Sequence, residues 1–209
     1  MVLNEYIIGE KSNEQIILAT KNKNKLVEVK AVLGNDYEVL SMEDIGIDVD
    51  VEENGTTFEE NATIKAEAIC KICGKPVMAD DSGLEIDYLD KKPGVLSARF
   101  LGHDTSYDIK NAKILEMLEG VPEEKRTARF VCSIAVAFPD RDTVVVRDTI
   151  EGIIGYESAG DNGFGYDPIF YVPELKKTTA QLSMEEKNKI SHRGKALVKM
   201  ANKLKDMNL

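Results

Sequence analysis

Two hydrophobic rhythms alternate along this chain. Gln15–Ala19 (QIILA) is a short, nearly unbroken apolar run, the pattern of a strand covered on both faces. Asn24–Leu33 places Leu26, Val29, Val32 and Leu33 at helical spacing, and Gly34 stops the pattern. Tyr37–Ser41 reads as a second strand and Asp44–Gly55 as a polar, acidic loop. Phe58–Cys73 is a helix with Ala62, Ala66, Ile69, Cys70 and Cys73 on its apolar face, ended by Gly74 and Pro76. Pro76–Ala79 is predicted as a strand. Leu84–Leu89 is predicted as its successor, across a turn at Asp80-Asp81-Ser82-Gly83.

Beyond a turn at Asp90–Gly94, Ser106–Leu118 is amphipathic and stops at Gly120. Arg129–Phe138 and Thr143–Ile150 form a predicted hairpin around Pro139-Asp140. Gly152–Pro173 is dense in glycine, aspartate and aromatics, and reads as an ordered loop or broken strands. Ser183 and Glu186 form a capping box, and Ser191 precedes a last helix to about Met207. Interleaved helices and strands with one long hairpin predict an α/β fold with a mixed sheet flanked by helices. Without repeats or a flexible linker, two lobes would share that sheet. Residues 15–209 form the expected domain, and 1–14 an extension of no assigned role.

Charge narrows the function classes. A net charge of −10 argues against a nucleic-acid partner, which requires a basic face, but permits a local basic pocket for a small anion. No run approaches membrane-spanning length and the N-terminus has no signal-peptide pattern, so no membrane partner and a cytoplasmic location are expected. Cys70, Cys73 and Cys132 are too few for a disulfide framework. The C-x-x-C pair lacks the second pair a zinc site needs, and is expected to pack a helix.

Two helix starts carry the wrong charge. Thr20-Lys21-Asn22-Lys23-Asn24-Lys25 leads into the first helix, where the macrodipole disfavours cations. A bound polyanion would turn that conflict into attraction, with Asn22 and Asn24 able to cap the helix or donate to phosphate. Ser191-His192-Arg193-Gly194 repeats the conflict at the last helix, with Lys187 and Lys189 just upstream. His103 has no comparable context.

A bound polyphosphate implies magnesium, and magnesium implies carboxylates. Asp80 and Asp81 at a strand end fit that need. Adjacent strand residues face opposite ways, so one of the two is expected to meet the ligand. Glu52-Glu53 in the acidic loop offers another carboxylate, whereas Glu59 and Glu60 suit a helix start for structural reasons. Ser82 can hold a phosphate or the turn. In Gly160-Asp161-Asn162-Gly163-Phe164-Gly165-Tyr166-Asp167-Pro168, Phe164 can stack on a base and Tyr166 is expected in the core.

Taken together, ILATKNKNKLVEV, EENGTTFEENA, ADDSGLEID with PGVLSARF, GDNGFGYDPIF and SMEEKNKISHRGKAL resemble the inosine triphosphate pyrophosphatase family, in family order from Ile16 to Leu197. The resemblance implies a two-lobed fold with a long mixed sheet and the site between the lobes. It implies a magnesium-dependent homodimer that converts XTP, ITP or dITP to nucleoside monophosphate and pyrophosphate. By position, Thr20, Lys21, Asn22, Lys23, Asn24 and Lys25 match the phosphate-binding loop. Glu52 matches a magnesium ligand, Asp81 the proton acceptor and metal ligand, and Ser82 a substrate contact. Phe164, Gly165, Tyr166 and Asp167 match a nucleotide-contacting segment, and Lys187, His192 and Arg193 contacts to the base. Lys21 stands where the family commonly has a small residue. The bases themselves suggest how they are told apart. A 6-oxygen accepts hydrogen bonds where adenine has an amine that donates, so donors such as Arg193 or Lys187 would favour the oxo purines. Guanine shares the 6-oxygen and must be rejected at its 2-position.

Overall fold

The computed structural model describes residues 14–207. All of the extension expected at 1–14 except Glu14 lies outside the described residues. One seven-stranded mixed sheet organises the chain, in the order β2-β1-β3-β4-β5-β6-β7. Its strands are β1 (Glu14–Leu18), β2 (Tyr37–Ser41), β3 (Val77–Ile86), β4 (Thr127–Ala137), β5 (Val144–Ile154), β6 (Phe170–Val172) and β7 (Lys177–Thr178). The first three are parallel, and β3 through β7 pair antiparallel. The helices are α1 (Lys23–Leu33), α2 (Phe58–Cys73), α3 (Tyr107–Met117), α4 (Met184–Ile190) and α5 (His192–Asp206). None is long and apolar enough to cross a membrane among the described residues.

The unbroken QIILA run has a simple cause: both faces of the sheet are covered. Ile16 and Leu18 pack with α1 and α5, while Ile17 and Ala19 pack with α2. Burying each large aliphatic side chain in this way contributes roughly 1.5–3 kcal/mol. Farther along the sheet, Leu84, Phe130, Ile150 and Phe170 form a third cluster with Ile114 and Leu118 from α3 and the turn after it. Cys70 is buried in the α2 cluster and Cys73 packs against it, in keeping with a packing role.

The predicted turn at Asp80–Gly83 does not exist. β3 runs through all ten residues from Val77 to Ile86, in unbroken register with β4, pairing Asp80 with Ile134 and Gly83 with Val131. Two carboxylates survive in a central strand because charged and amide side chains from three helices meet them. Gly83 is present for close approach, since a Cβ there would lie 2.5 Å from the Gly94 carbonyl and from Ser97 Oγ. The strand then ends early, and Asp87–Leu89 forms a 3-10 turn where strand was predicted. The hairpin is longer than predicted on both arms, with Glu151 still paired to Arg129.

Candidate functional site

A cleft of about 360 Å3 opens beside the middle of β3, within the size range of small-molecule sites. One end is formed by the loop entering α1. Asn22 is the N-cap of α1, its side chain accepting from the N–H groups of Asn24 (2.9 Å) and Lys25 (3.4 Å). Thr20 Oγ1 accepts from Asn22 N–H at 3.1 Å, which closes the loop. Thr20, Lys21, Asn22 and Lys25 line the cleft, whereas Lys23 and Asn24 are exposed outside its lining. Lys21 reaches across to Asp48 (2.9 Å) and Asp50 (2.8 Å) of the acidic loop.

The two wrongly charged helix starts belong to one constellation. Lys25 from α1 lies 2.9 Å from Asp80, and Arg193 from α5 donates to the same Oδ2 at 3.2–3.3 Å. Ser82 Oγ donates to that oxygen at 2.9 Å and accepts from Arg193 at 3.3 Å. Burial alone would push the Asp80 carboxyl up, but the charges of Lys25 and Arg193 outweigh it and hold the group far below the usual range. Asp80 is 2% exposed and absent from the cleft lining, so it anchors cations from behind.

Asp81, one residue on, faces the other side of the sheet and lines the cleft. Asn61 of α2 donates to its Oδ2 at 3.0 Å. Burial pushes its carboxyl up to about 6, with the charge of Glu53 adding to the rise and Lys65, Asn61 and Lys25 opposing it. Glu53 lines the cleft and pairs with Lys65 at 2.8 Å. Glu52 is exposed and outside the lining. Glu60 completes the capping box of α2 and Glu59 meets Arg147 at 3.5 Å, both structural as expected.

The other end of the cleft is aromatic. Phe164 donates its N–H to Asp167 Oδ2 at 2.8 Å, and its ring lies 4.9 Å from the Lys187 ammonium and 5.5 Å from the Arg193 guanidinium. Gly163 has a φ of +75°, and a Cβ there would come within 2.2 Å of Asp167 Oδ2. Asp167 also takes Lys187 at 2.7 Å and Thr179 at 2.8 Å, so both of its oxygens are spent organising the loop. Tyr166 is buried as expected, its hydroxyl donating to the Ser97 carbonyl at 2.7 Å. Gly165 also lines this end. His192 stacks on Phe130 at 4.9 Å. Burial, then the charges of Arg193 and Lys187, push it well below its ordinary value, so it stays neutral. Lys189 is a surface residue paired with Glu185 at 2.8 Å, and His103 is exposed.

Three residues of this site escaped the sequence reading. Glu28 of α1 is 7% exposed and accepts from Lys187 at 3.2 Å and from Arg193 Nη1. It fixes the two cations beside Phe164. The available signal was its position three residues after Lys25, on the stripe that carries Val29 and Val32. Asn61 and Lys65 sit at helical spacing from Phe58 on the inner face of α2, where a polar pair among alanines marks a partner across the sheet.

Magnesium takes hard oxygen ligands, often one or two carboxylates completed by phosphate oxygens and water. Asp81 and Glu53, two carboxylates on one cleft with Asp81 under-compensated, suit such an ion.

The chain matches known proteins over nearly all of its described length. Residues 16–203 match the Ham1 family. The dITP/XTP pyrophosphatase of Halalkalibacterium halodurans is 53% identical over 182 residues, covering 87% of this chain and 94% of that protein. That of Bacillus licheniformis is 51% identical over 190 residues, covering 90% and 96%. The structure of the Staphylococcus aureus Ham1 protein superposes with a TM-score of 0.84 at 43% identity, covering 93% of this chain and all of that one. With this fold, these motifs and this cleft, the chain belongs to the Ham1 family.

Proposed function

We propose that this protein hydrolyses non-standard purine nucleoside triphosphates, XTP, ITP and dITP, to nucleoside monophosphate and pyrophosphate, as a house-cleaning enzyme of the nucleotide pool. The observation that carries the reading is Asp81, a desolvated carboxylate in a cleft with cations at one end and aromatics at the other. The names of the dITP/XTP pyrophosphatases that it resembles support it.

In this reading the triphosphate lies along Thr20, Lys21, Asn22 and Lys65, where cations and the N-terminus of α1 offset its charge. Lys23 and Lys25 extend that positive field, Asn24 offers an amide donor beside them, and Ser82 borders the phosphates. Asp81, with Glu53 or Glu52 from the adjacent loop, would hold magnesium, which supplies charge neutralisation at the phosphate oxygens and a more acidic water. Asp81 accepts the proton of the attacking water, which requires it ionised. Asp80 keeps Lys25 and Arg193 in place. Phe164 stacks on the base, while Lys187, Arg193 and His192 face its oxygens. The enzyme is proposed to be a cytoplasmic homodimer of two-lobed subunits, without a nucleic-acid partner. Light scattering on the purified chain tests the dimer.

The decisive assay incubates the protein with ITP, XTP, GTP and ATP, with magnesium or with EDTA, and separates products by anion exchange. Monophosphate and pyrophosphate from ITP or XTP, only with magnesium and weak for GTP and ATP, are expected. Stepwise release of inorganic phosphate, or no product at all, would overturn the reading.

A further inference from the structure

Two buried side chains reach the aromatic wall of the cleft from behind, and a third, Tyr166, belongs to the wall itself. Lys110 of α3 is 1% exposed, and its ammonium donates to the Ala98 carbonyl at 2.7 Å. Its neighbour Asn111 donates to the Gly165 carbonyl at 3.1 Å. Tyr166 donates to the Ser97 carbonyl at 2.7 Å. Ser97, Ala98 and Gly165 all line the cleft, so three main-chain acceptors of one wall are already engaged.

The remaining groups there are mainly donors. Lysine and arginine side chains cannot accept, and Lys187 and Arg193 border the same space. Asp167 also lines it, but its carboxylate is engaged by Phe164, Lys187 and Thr179. Among the described residues, His192 Nδ1 is the one unpartnered buried side-chain atom on a lining residue, and the single acceptor nitrogen of its neutral ring is the exception to this donor set.

The burial of Lys110 requires a reason. An interior ammonium gives up strong hydration, and one carbonyl with the Tyr107 ring at 4.8 Å is a thin replacement. An apolar side chain of similar length would fill the space at lower cost. What the ammonium alone adds is occupation of the Ala98 oxygen and a positive charge behind the wall.

We infer that Lys110, Asn111 and Tyr166 determine specificity by masking the carbonyls of Ala98, Gly165 and Ser97. The base end of the cleft is thereby left poor in free acceptors and discriminates against purines that carry an exocyclic amine. The inference rests on the proposed pyrophosphatase reading and deepens it. An amine moved from water to a wall without acceptors loses its hydrogen bonds, whereas an oxo group in the same place meets donors. Guanine is the informative case, because donors at the 6-position donate to its 6-oxygen as readily as to that of xanthine.

The test compares kcat/KM for GTP and XTP in the full-length enzyme and in Lys110→Met. Unmasking one acceptor is expected to raise the GTP-to-XTP ratio about fivefold or more, the worth of an ordinary hydrogen bond. Tyr166→Phe and Asn111→Leu repeat the measurement at the other two carbonyls, and carry it if Lys110→Met fails to fold. An unchanged ratio overturns the inference, whether both substrates slow together or neither changes, because a merely structural role would move them in parallel. Wild-type enzyme that leaves XTP intact would instead remove the underlying reading, and is seen before any variant is made.

Discussion

Asp80 and Asp81 are neighbours in one strand, yet the two faces of the sheet treat a carboxylate in opposite ways. On the α1/α5 face, Lys25 and Arg193 converge on Asp80, whose pKa is held far below normal. On the α2 face, Asp81 receives an amide from Asn61, lies within the field of Glu53, and is pushed up to about 6. The same residue type is thus an ion-paired anchor on one side and a carboxyl lifted toward neutral pH on the other. The difference lies in the helices, because adjacent strand positions necessarily face different neighbours.

The largest effect that would sharpen this contrast is on turnover. Asp81→Asn keeps the shape and the Asn61 neighbour but loses the base, and kcat is expected to fall by about 10^2–10^4. Nucleotide binding measured by calorimetry should persist, and near-normal kcat in this variant would remove Asp81 from the chemistry. Asp80→Ala should act on the fold instead. It leaves Lys25 and Arg193 facing a buried void, and a loss of about 3–5 kcal/mol in urea unfolding is expected. A loss below about 1 kcal/mol would mean that the two cations find other partners.

The pH dependence separates the same two residues. Asp81, raised from an unfolded value near 3.9 to about 6, favours its protonated form in the fold. That stabilisation is complete below about pH 4 and is lost as pH rises through 6. Without added metal, wild type should therefore lose about 2–3 kcal/mol relative to Asp81→Asn between pH 4 and 7. Parallel stability curves for the two proteins would refute the shift. Asp80 has the opposite sign: its contribution is present throughout this range and fades only in strong acid as pH falls through its depressed pKa.

Smaller effects complete the series. Glu28→Gln weakens the clamp on Lys187 and Arg193, and KM is expected to rise about tenfold with kcat little changed. An effect confined to kcat would place Glu28 at the phosphate end. Lys189→Ala, on an exposed pair with Glu185, should leave both the urea-unfolding midpoint and KM unchanged.

Particular residues show how much of this was legible. The helical stripes of α1 and α2, the capping box at Ser183 and the buried runs of β1 and β4 were readable because local periodicity reports which face is covered. Asp80–Gly83 was misread as a turn, since aspartate, serine and glycine are turn formers wherever no partner compensates them. Lys25, Asp81, Phe164, Lys187, His192 and Arg193 were picked out and line one cleft, but Lys23 and Asn24 do not, and Glu53 lines it where Glu52 does not. Periodicity in a loop cannot tell which of two adjacent glutamates turns inward.

By itself the sequence determined most of the elements, their amphipathic faces, the excess of cations at two helix starts and the presence of paired carboxylates, because each is a property of residues close together in the chain. Tertiary structure alone decided that the two cationic helix starts meet at Asp80, that Asp81 is left under-compensated opposite them, and that Glu28 and Lys110 are buried beside the cleft. Those facts depend on contacts between residues as far apart as Glu28 and Arg193, and a side chain's charge state follows its three-dimensional neighbours.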